Sequence, residues 1–261
     1  MSGTIRTDKD GALGFIIFDH PARRNAISAE MWRQIPGAVE ALAKDDDVRV
    51  VILRGEGETA FVAGADISEF ESQRSGGPAA AEYDRAGTEA YRAIVGLEKP
   101  TLAMIHGFCV GGGVALALCA DLRFASDDAR FAVPAARLGL GYSAGLLEPL
   151  LRLVGSARAL EILYTARRYR ADEALAMGLV NSVSAKATLE SVVRETADRI
   201  AANAPLTLRG VKIAARELAK DASRRDQARI DAATLACYQS DDYREGVRAF
   251  LEKRKPLFKG R

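Results

Sequence analysis

The chain has 261 residues, 48% hydrophobic and 28% charged, a balance that fits a folded protein with one large domain, or a large and a small one, and excludes disordered and collagen-like classes. The 37 basic residues nearly offset the 35 acidic ones, leaving a formal charge of +2, so no global field directs the protein to nucleic acid or a membrane surface. No apolar run is long enough for a membrane helix, the start shows no signal-peptide core, and Cys109, Cys119 and Cys237 have neither metal-ligand nor bridge spacing; a cytoplasmic protein without a metal site is expected.

In chain order, Leu13-Gly14-Phe15-Ile16-Ile17-Phe18 reads as a strand, and Ser28 as the N-cap of a helix running towards Lys44. Pro36-Gly37 inside it is expected to kink or shorten that helix. The strand Val48-Arg49-Val50-Val51-Ile52-Leu53 and a turn from Arg54 to Glu58 lead to Phe61-Val62 and the stretch Ala63-Gly64-Ala65-Asp66. Ser72 to Pro78 reads as a mobile surface loop. Helical spacing from Ala79 to Leu97 stops at Lys99-Pro100. Then come the strand Thr101-Leu102-Ala103-Met104-Ile105, the triple glycine Gly111-Gly112-Gly113 and a helix to Ala120. Two short strands, residues 121–125 and 130–133, run into Pro134. Strands alternating with helices argue for an α/β layered core through about Val183. From Lys186 almost everything is helical, with breaks at Ala204-Pro205 and Ser240-Asp241-Asp242. The expected division is a core over residues 1–185 that carries the site and a helical region over 186–261, packed on a core or another subunit.

Function is expected at the two glycine-rich stretches, each placed where an apolar strand gives way to a helix. Small residues let a ligand approach the main chain, and exposed N–H groups at a helix start favour an anionic oxygen. Two such groups converging on a thioester carbonyl make an oxyanion hole, in which removing one donor costs roughly a hundred- to a thousand-fold in rate. A dinucleotide phosphate loop competes for the triple glycine, but Leu116 stands where its third small residue belongs. A purely structural turn is the other reading. His106 and His20 are expected to be structural, Cys109 a small buried hydrophobe, and Glu148 to face solvent.

Ala63-Gly64-Ala65-Asp66, Ile105-His106-Gly107, the triple glycine and Cys119-Ala120-Asp121-Leu122 together resemble the crotonase superfamily, the enoyl-CoA hydratase/isomerase group. Pro21-Ala22-Arg23-Arg24-Asn25-Ala26, residues 174–180 and residues 250–256 extend the resemblance over essentially the whole chain. It implies a spiral of ββα units, a C-terminal helical trimerisation region, and a homotrimer or dimer of trimers. The implied partner is an acyl-CoA thioester, its carbonyl held by the N–H groups of Ala65 and Gly112, with CoA entering as part of the substrate rather than as a cofactor. The implied substrate-binding set is Arg23, Arg24, Ala63, Asp66, Ile67 and Gly111, joined by Phe258 and Lys259 from the tail that reaches the nucleotide end of CoA.

Hydratases of this group use two glutamates on one carbon–carbon bond. The matching positions here are Ala115 and Ala135, so standard hydration loses its acid and base. Tyr142 and the run from Tyr238 to Gly246 are similar to the methylmalonyl-CoA decarboxylase branch, which has a histidine where this chain has Ala65. The sequence therefore leaves open an enolate-forming acyl-CoA enzyme, a decarboxylase among them, and a relative that binds acyl-CoA without turning it over.

Overall fold

The computed structural model describes residues 3–66 and 77–261, with side chains of the second stretch from Ala81 onward. Ile67 and residues 72–76 of the loop expected at Ser72 to Pro78 lie outside the described residues. Strands β1 (Thr4–Asp10) and β2 (Leu13–Asp19) form an antiparallel hairpin about Gly11. β1 has no sequence signature because it is an edge strand in which Ile5 is the one apolar residue among charged and threonine side chains, exposed from Arg6 onward. Helix α1 (Ala29–Lys44) begins at Ser28, whose Oγ accepts from the Met31 N–H at 3.2 Å. It runs unbroken through Pro36, against expectation. Its buried stripe Met31, Trp32, Ile35, Val39 and Leu42 continues on both sides of the proline, so packing outweighs the one backbone bond that proline forfeits.

From here the chain repeats one unit. β3 (Val50–Gly55) and β4 (Ala60–Val62) precede α2 (Gly77–Gly96); β5 (Thr101–Ile105) and β6 (Phe108–Val110) precede α3 (Gly112–Cys119); β7 (Leu122–Ser126) and β8 (Arg130–Ala132) precede α4 (Ala144–Thr165). β9 (Tyr169–Arg170), α5 (Ala171–Ala176) and β10 (Ser182–Ser184) complete the spiral. In each of these three units the first strand joins a six-stranded sheet of order β1-β2-β3-β5-β7-β10, and the second joins a four-stranded sheet of order β4-β6-β8-β9. All pairings from β2 to β10 in the large sheet are parallel. β5 is buried at every position, as a parallel strand covered on both faces must be.

One core fills the space between the sheets and helices α1, α2 and α3. A second lies on the other face of the large sheet, where Leu189, Val193, Ala197 and Ala201 of α6 (Leu189–Ala201) cover Phe15, Ile52, Leu102 and Phe124. Helices α7 (Pro205–Leu218), α8 (Gln227–Gln239) and α9 (Asp241–Leu251) follow, with a short turn at Ala222–Arg224 that the sequence reading did not separate. Lys212 pins α7 to the start of β5, its Nζ lying 2.5 Å from the Asp121 carboxylate and 2.7 Å from the Lys99 carbonyl. α8 buries none of its residues, and Leu235, Tyr238, Val247, Phe250 and Leu251 are exposed. Among the described residues no helix is long and apolar enough to cross a membrane.

Candidate active site

The strands that lead directly into the glycine-rich stretches are β4 and β6, rather than β3 and β5 as the sequence suggested. Three residues are too few to show a period. Their pairing is what brings the site together: β4 and β6 run parallel, with Ala60 opposite Phe108 and Val62 opposite Cys109, so the two stretches leave the small sheet side by side. A Cβ on Gly111 would stand 4.0 Å from the Gly64 Cα. The helix expected after the first stretch falls among residues outside the description.

Hydrogen bonds then orient each stretch. Ile27 and Ala65 form an isolated parallel bridge, in which the Ile27 N–H donates to the Gly64 carbonyl at 2.8 Å and the Asp66 N–H to the Ile27 carbonyl at 2.9 Å. A residue centred in such a bridge turns its own N–H away from the partner strand, so the Ala65 N–H faces out of the bridge, with no main-chain acceptor among the described residues. The Gly111 N–H is spent on the Ala132 carbonyl at 2.8 Å, at φ 53 and ψ −112, a conformation open to glycine. Gly112 follows as the first residue of α3, where helix geometry leaves its N–H without an intrahelical partner. Gly113 allows the close approach of α3 to β4, since a Cβ there would lie 2.2 Å from the Val62 carbonyl oxygen.

An aromatic wall that the sequence did not reveal stands beside Gly112. A Cβ on Gly112 would lie 3.4 Å from the Trp32 ring and 3.8 Å from the Tyr91 hydroxyl. Trp32 meets Tyr91 edge to face at 5.2 Å and donates its Nε1–H to the Tyr83 hydroxyl at 2.9 Å. Tyr83 and Tyr91 are eight residues apart on α2 and so share a face, the one signal that sequence carried for this wall.

A profile of the enoyl-CoA hydratase/isomerase family matches residues 8–261. The chain belongs to the enoyl-CoA hydratase/isomerase family. It is 38% identical over 255 residues to a crotonyl-CoA hydratase of Syntrophomonas wolfei, covering 97% of each chain. With a carnitinyl-CoA dehydratase of Proteus mirabilis it shares 34% identity over 265 residues and the full length of both. The crystal structure of an enoyl-CoA hydratase/carnithine racemase from Magnetospirillum magneticum superimposes with a TM-score of 0.95 at 37% identity, covering 100% of this chain and 97% of that one. The two-sheet spiral is thus the crotonase fold.

Of the two alanines expected at the acid and base positions, Ala115 lies in the first turn of α3 and Ala135 in the short turn Pro134–Leu138 that follows β8. Ala115 is buried in α3, its N–H donating to the Gly111 carbonyl at 3.2 Å. Ala135 is half-buried, three residues beyond the Ala132 carbonyl that holds Gly111. Tyr142 lies two residues before α4 and packs against the main core. Its hydroxyl oxygen is buried with no hydrogen-bond partner among the described residues, and burial pushes its pKa up to about 12, so it is a neutral O–H at any physiological pH. Glu148 is exposed and pairs with Arg152 at 2.6 Å.

The remaining expected residues divide into two places. Arg23 and Arg24 sit in an exposed turn beside the first glycine-rich stretch, and the Arg24 carbonyl accepts from the Ala63 N–H at 3.1 Å. Asn25 fastens that turn: its side chain accepts from the His20 N–H at 3.0 Å and donates to the Glu56 and Ala60 carbonyls at 3.0 and 2.8 Å. Asp66 is buried and Ala63 half-buried. Phe258 and Lys259 lie elsewhere. The Phe258 carbonyl accepts from Arg49, just before β3, and the Lys259 N–H donates to Asp242 at 2.6 Å, which puts the tail at the N-terminal end of β3 while the first glycine-rich stretch lies beyond its C-terminal end. His20 is a buried structural residue whose Nδ1 is 3.0 Å from the Ala26 carbonyl. His106 is buried too, and burial is the main cause that lowers its pKa. Burial raises the Cys109 thiol far above its ordinary value, which removes it as a nucleophile.

Proposed function

We propose that the protein converts an acyl-CoA thioester through an enolate, the oxygen of which accepts hydrogen bonds from the Ala65 and Gly112 N–H groups. One observation carries this reading: the paired strands β4 and β6 set the outward Ala65 N–H beside the uncapped start of α3. Donors fixed in this way need no reorganisation when charge develops on the carbonyl oxygen. Arg23, Arg24, Ala63, Asp66, Ile67 and Gly111 are the substrate-binding residues of the proposal. Phe258 and Lys259 serve a CoA only across a subunit contact, which fits the exposed apolar residues of α8 and α9 and a homotrimer or dimer of trimers. The wall of Trp32, Tyr83 and Tyr91 bounds the acyl group.

With methyl groups at positions 115 and 135, two-carboxylate hydration has no acid and no base. Decarboxylation of a carboxylated acyl-CoA asks less of the side chains. Loss of carbon dioxide leaves its electron pair on the α-carbon, the thioester carbonyl takes up the charge, and the hole stabilises the enolate. The buried Tyr142 hydroxyl favours this second reading, because a neutral donor with no partner among the described residues suits an anionic acyl group.

The test is an assay of purified protein with crotonyl-CoA and with methylmalonyl-CoA. Slow or absent hydration together with turnover of the carboxylated thioester is the expected result. Rapid hydration of crotonyl-CoA would overturn the role given to Ala115 and Ala135. Turnover of neither, with tight CoA binding, would make the protein a binding relative rather than an enzyme.

A further inference from the structure

An enolate held by the Ala65 and Gly112 N–H groups still needs a proton on its α-carbon, and the methyl groups of Ala115 and Ala135 have none to give. The titratable side chain that the structure sets against Gly112 is Tyr91, on α2. Its hydroxyl oxygen stands 3.8 Å from the position of a Cβ on Gly112. In a helix both the Cα–Cβ bond and the N–H point toward the N-terminus, so the hydroxyl lies at the end of α3 to which the Gly112 N–H is directed. Nothing in the backbone requires glycine at this position. Its φ is not positive, and the nearest atom to an added Cβ is the Trp32 ring at 3.4 Å, an ordinary contact. An alanine would fit and would favour the helix; glycine instead keeps open the space between the phenol and the main chain. The phenol itself is held in place. Its ring meets Trp32 edge to face at 5.2 Å, and Trp32 is anchored through its Nε1–H to the Tyr83 hydroxyl at 2.9 Å. Ala65, Gly112 and Tyr91 are each half-buried, which leaves the space between them open to a ligand and to water.

We propose that Tyr91 is a catalytic residue, the donor of the proton that the α-carbon of the enolate takes up, and this rests on the enolate reading above. The enolate arises in one of two ways. Loss of carbon dioxide passes the pair of the broken carbon–carbon bond to the thioester; addition of water, whose spare proton goes to solvent, pushes out the pair of the double bond. In either case that pair then forms the bond from the α-carbon to the Tyr91 proton. The phenolic oxygen keeps the pair of its O–H bond, and solvent water returns a proton to it. A donor fixed by Trp32 on one side of the enolate plane delivers to one face, so the new C–H bond has one configuration.

Turnover in deuterium oxide of whichever of methylmalonyl-CoA and crotonyl-CoA the full-length protein converts tests the assignment. The wild type is expected to place one deuterium on the α-carbon in a single configuration, read by NMR of the product. Tyr91→Phe keeps the ring against Trp32, so its melting temperature and its CoA Kd, measured by calorimetry, are expected to match the wild type. Its kcat is expected to fall about a hundredfold, the weight of one positioned acid, and its product to carry deuterium in both configurations. Loss of configuration separates proton delivery from packing. A variant whose product keeps a single configuration, at whatever rate, would overturn the role of Tyr91 and leave the enolate reading standing. A wild-type product of mixed configuration would do the same. A wild type that converts neither thioester would overturn both.

Discussion

Ile27 and Ala65 meet in a single parallel bridge, and its two hydrogen bonds, 2.8 and 2.9 Å, decide which way the Ala65 N–H points. A residue from the turn before α1 thereby sets the direction of one of the two donors of the proposed oxyanion hole. The other half, Gly112, depends on how closely α3 approaches β4. The geometry of the proposed hole therefore rests on these two contacts.

Gly113→Ala tests the second contact. The added methyl would meet the Val62 carbonyl oxygen at 2.2 Å, so α3 must shift away from β4 and carry the Gly112 N–H with it. A fall in turnover of about a hundredfold is expected, the weight of one oxyanion donor, with a lowered melting temperature. Steady-state kinetics and thermal unfolding check it, and unchanged kinetics would remove Gly112 from the hole.

Ala135→Glu places a carboxylate in a half-buried position beside the Ala132–Gly111 contact. One positioned acid or base contributes roughly a hundred- to ten-thousand-fold. Crotonyl-CoA hydration by this variant is expected to exceed that of the wild type by at least about tenfold, the shortfall reflecting the acid still missing at Ala115. The assay is the loss of the enoyl absorbance.

Tyr142→Phe separates role from packing. A buried hydroxyl with no partner among the described residues costs stability, so the phenylalanine variant is expected to be as stable as the wild type or more stable by about 1 kcal/mol. Turnover of a carboxylated acyl-CoA should nevertheless fall about tenfold. Because burial holds the hydroxyl near 12, its ionisation should leave no limb in the rate profile at ordinary pH. An unchanged rate would take Tyr142 out of the site.

Lys212 gives the protein a pH signature. Burial lowers its pKa from 10.5 to about 8 despite the Asp121 carboxylate beside it. Below pH 8 both folded and unfolded chains hold this proton, and the cost of burying the charge is present in full. Between pH 8 and 10.5 the folded chain releases it first, so this group's contribution to stability rises with pH, by a few kcal/mol in all, and is level above that window. The stability of the wild type relative to Lys212→Met, followed by urea unfolding across that range, should therefore climb. A flat difference would contradict the assignment.

Much was legible locally. Ser28 as a cap, the strand at β5, the two glycine-rich stretches and the helical character beyond Lys186 all follow from residue type and spacing within one segment. Pro36 shows the limit of such reading, since its cost was known but the buried stripe that outweighs it was not. β1, β4 and β6 show another, for an edge strand of charged residues and strands of three residues leave no period to detect.

The sequence by itself determined which atoms are present: small residues that bare the main chain at Gly64 and Gly111–Gly113, methyl groups at Ala115 and Ala135, and a hydroxyl at Tyr142. Tertiary structure decided which of them meet. The pairing of β4 with β6, the bridge from Ile27 to Ala65 and the wall of Trp32 and Tyr91 beside Gly112 join residues distant in the chain. Local periodicity fixes which face an element buries, and only the packing of those faces fixes what lies opposite them.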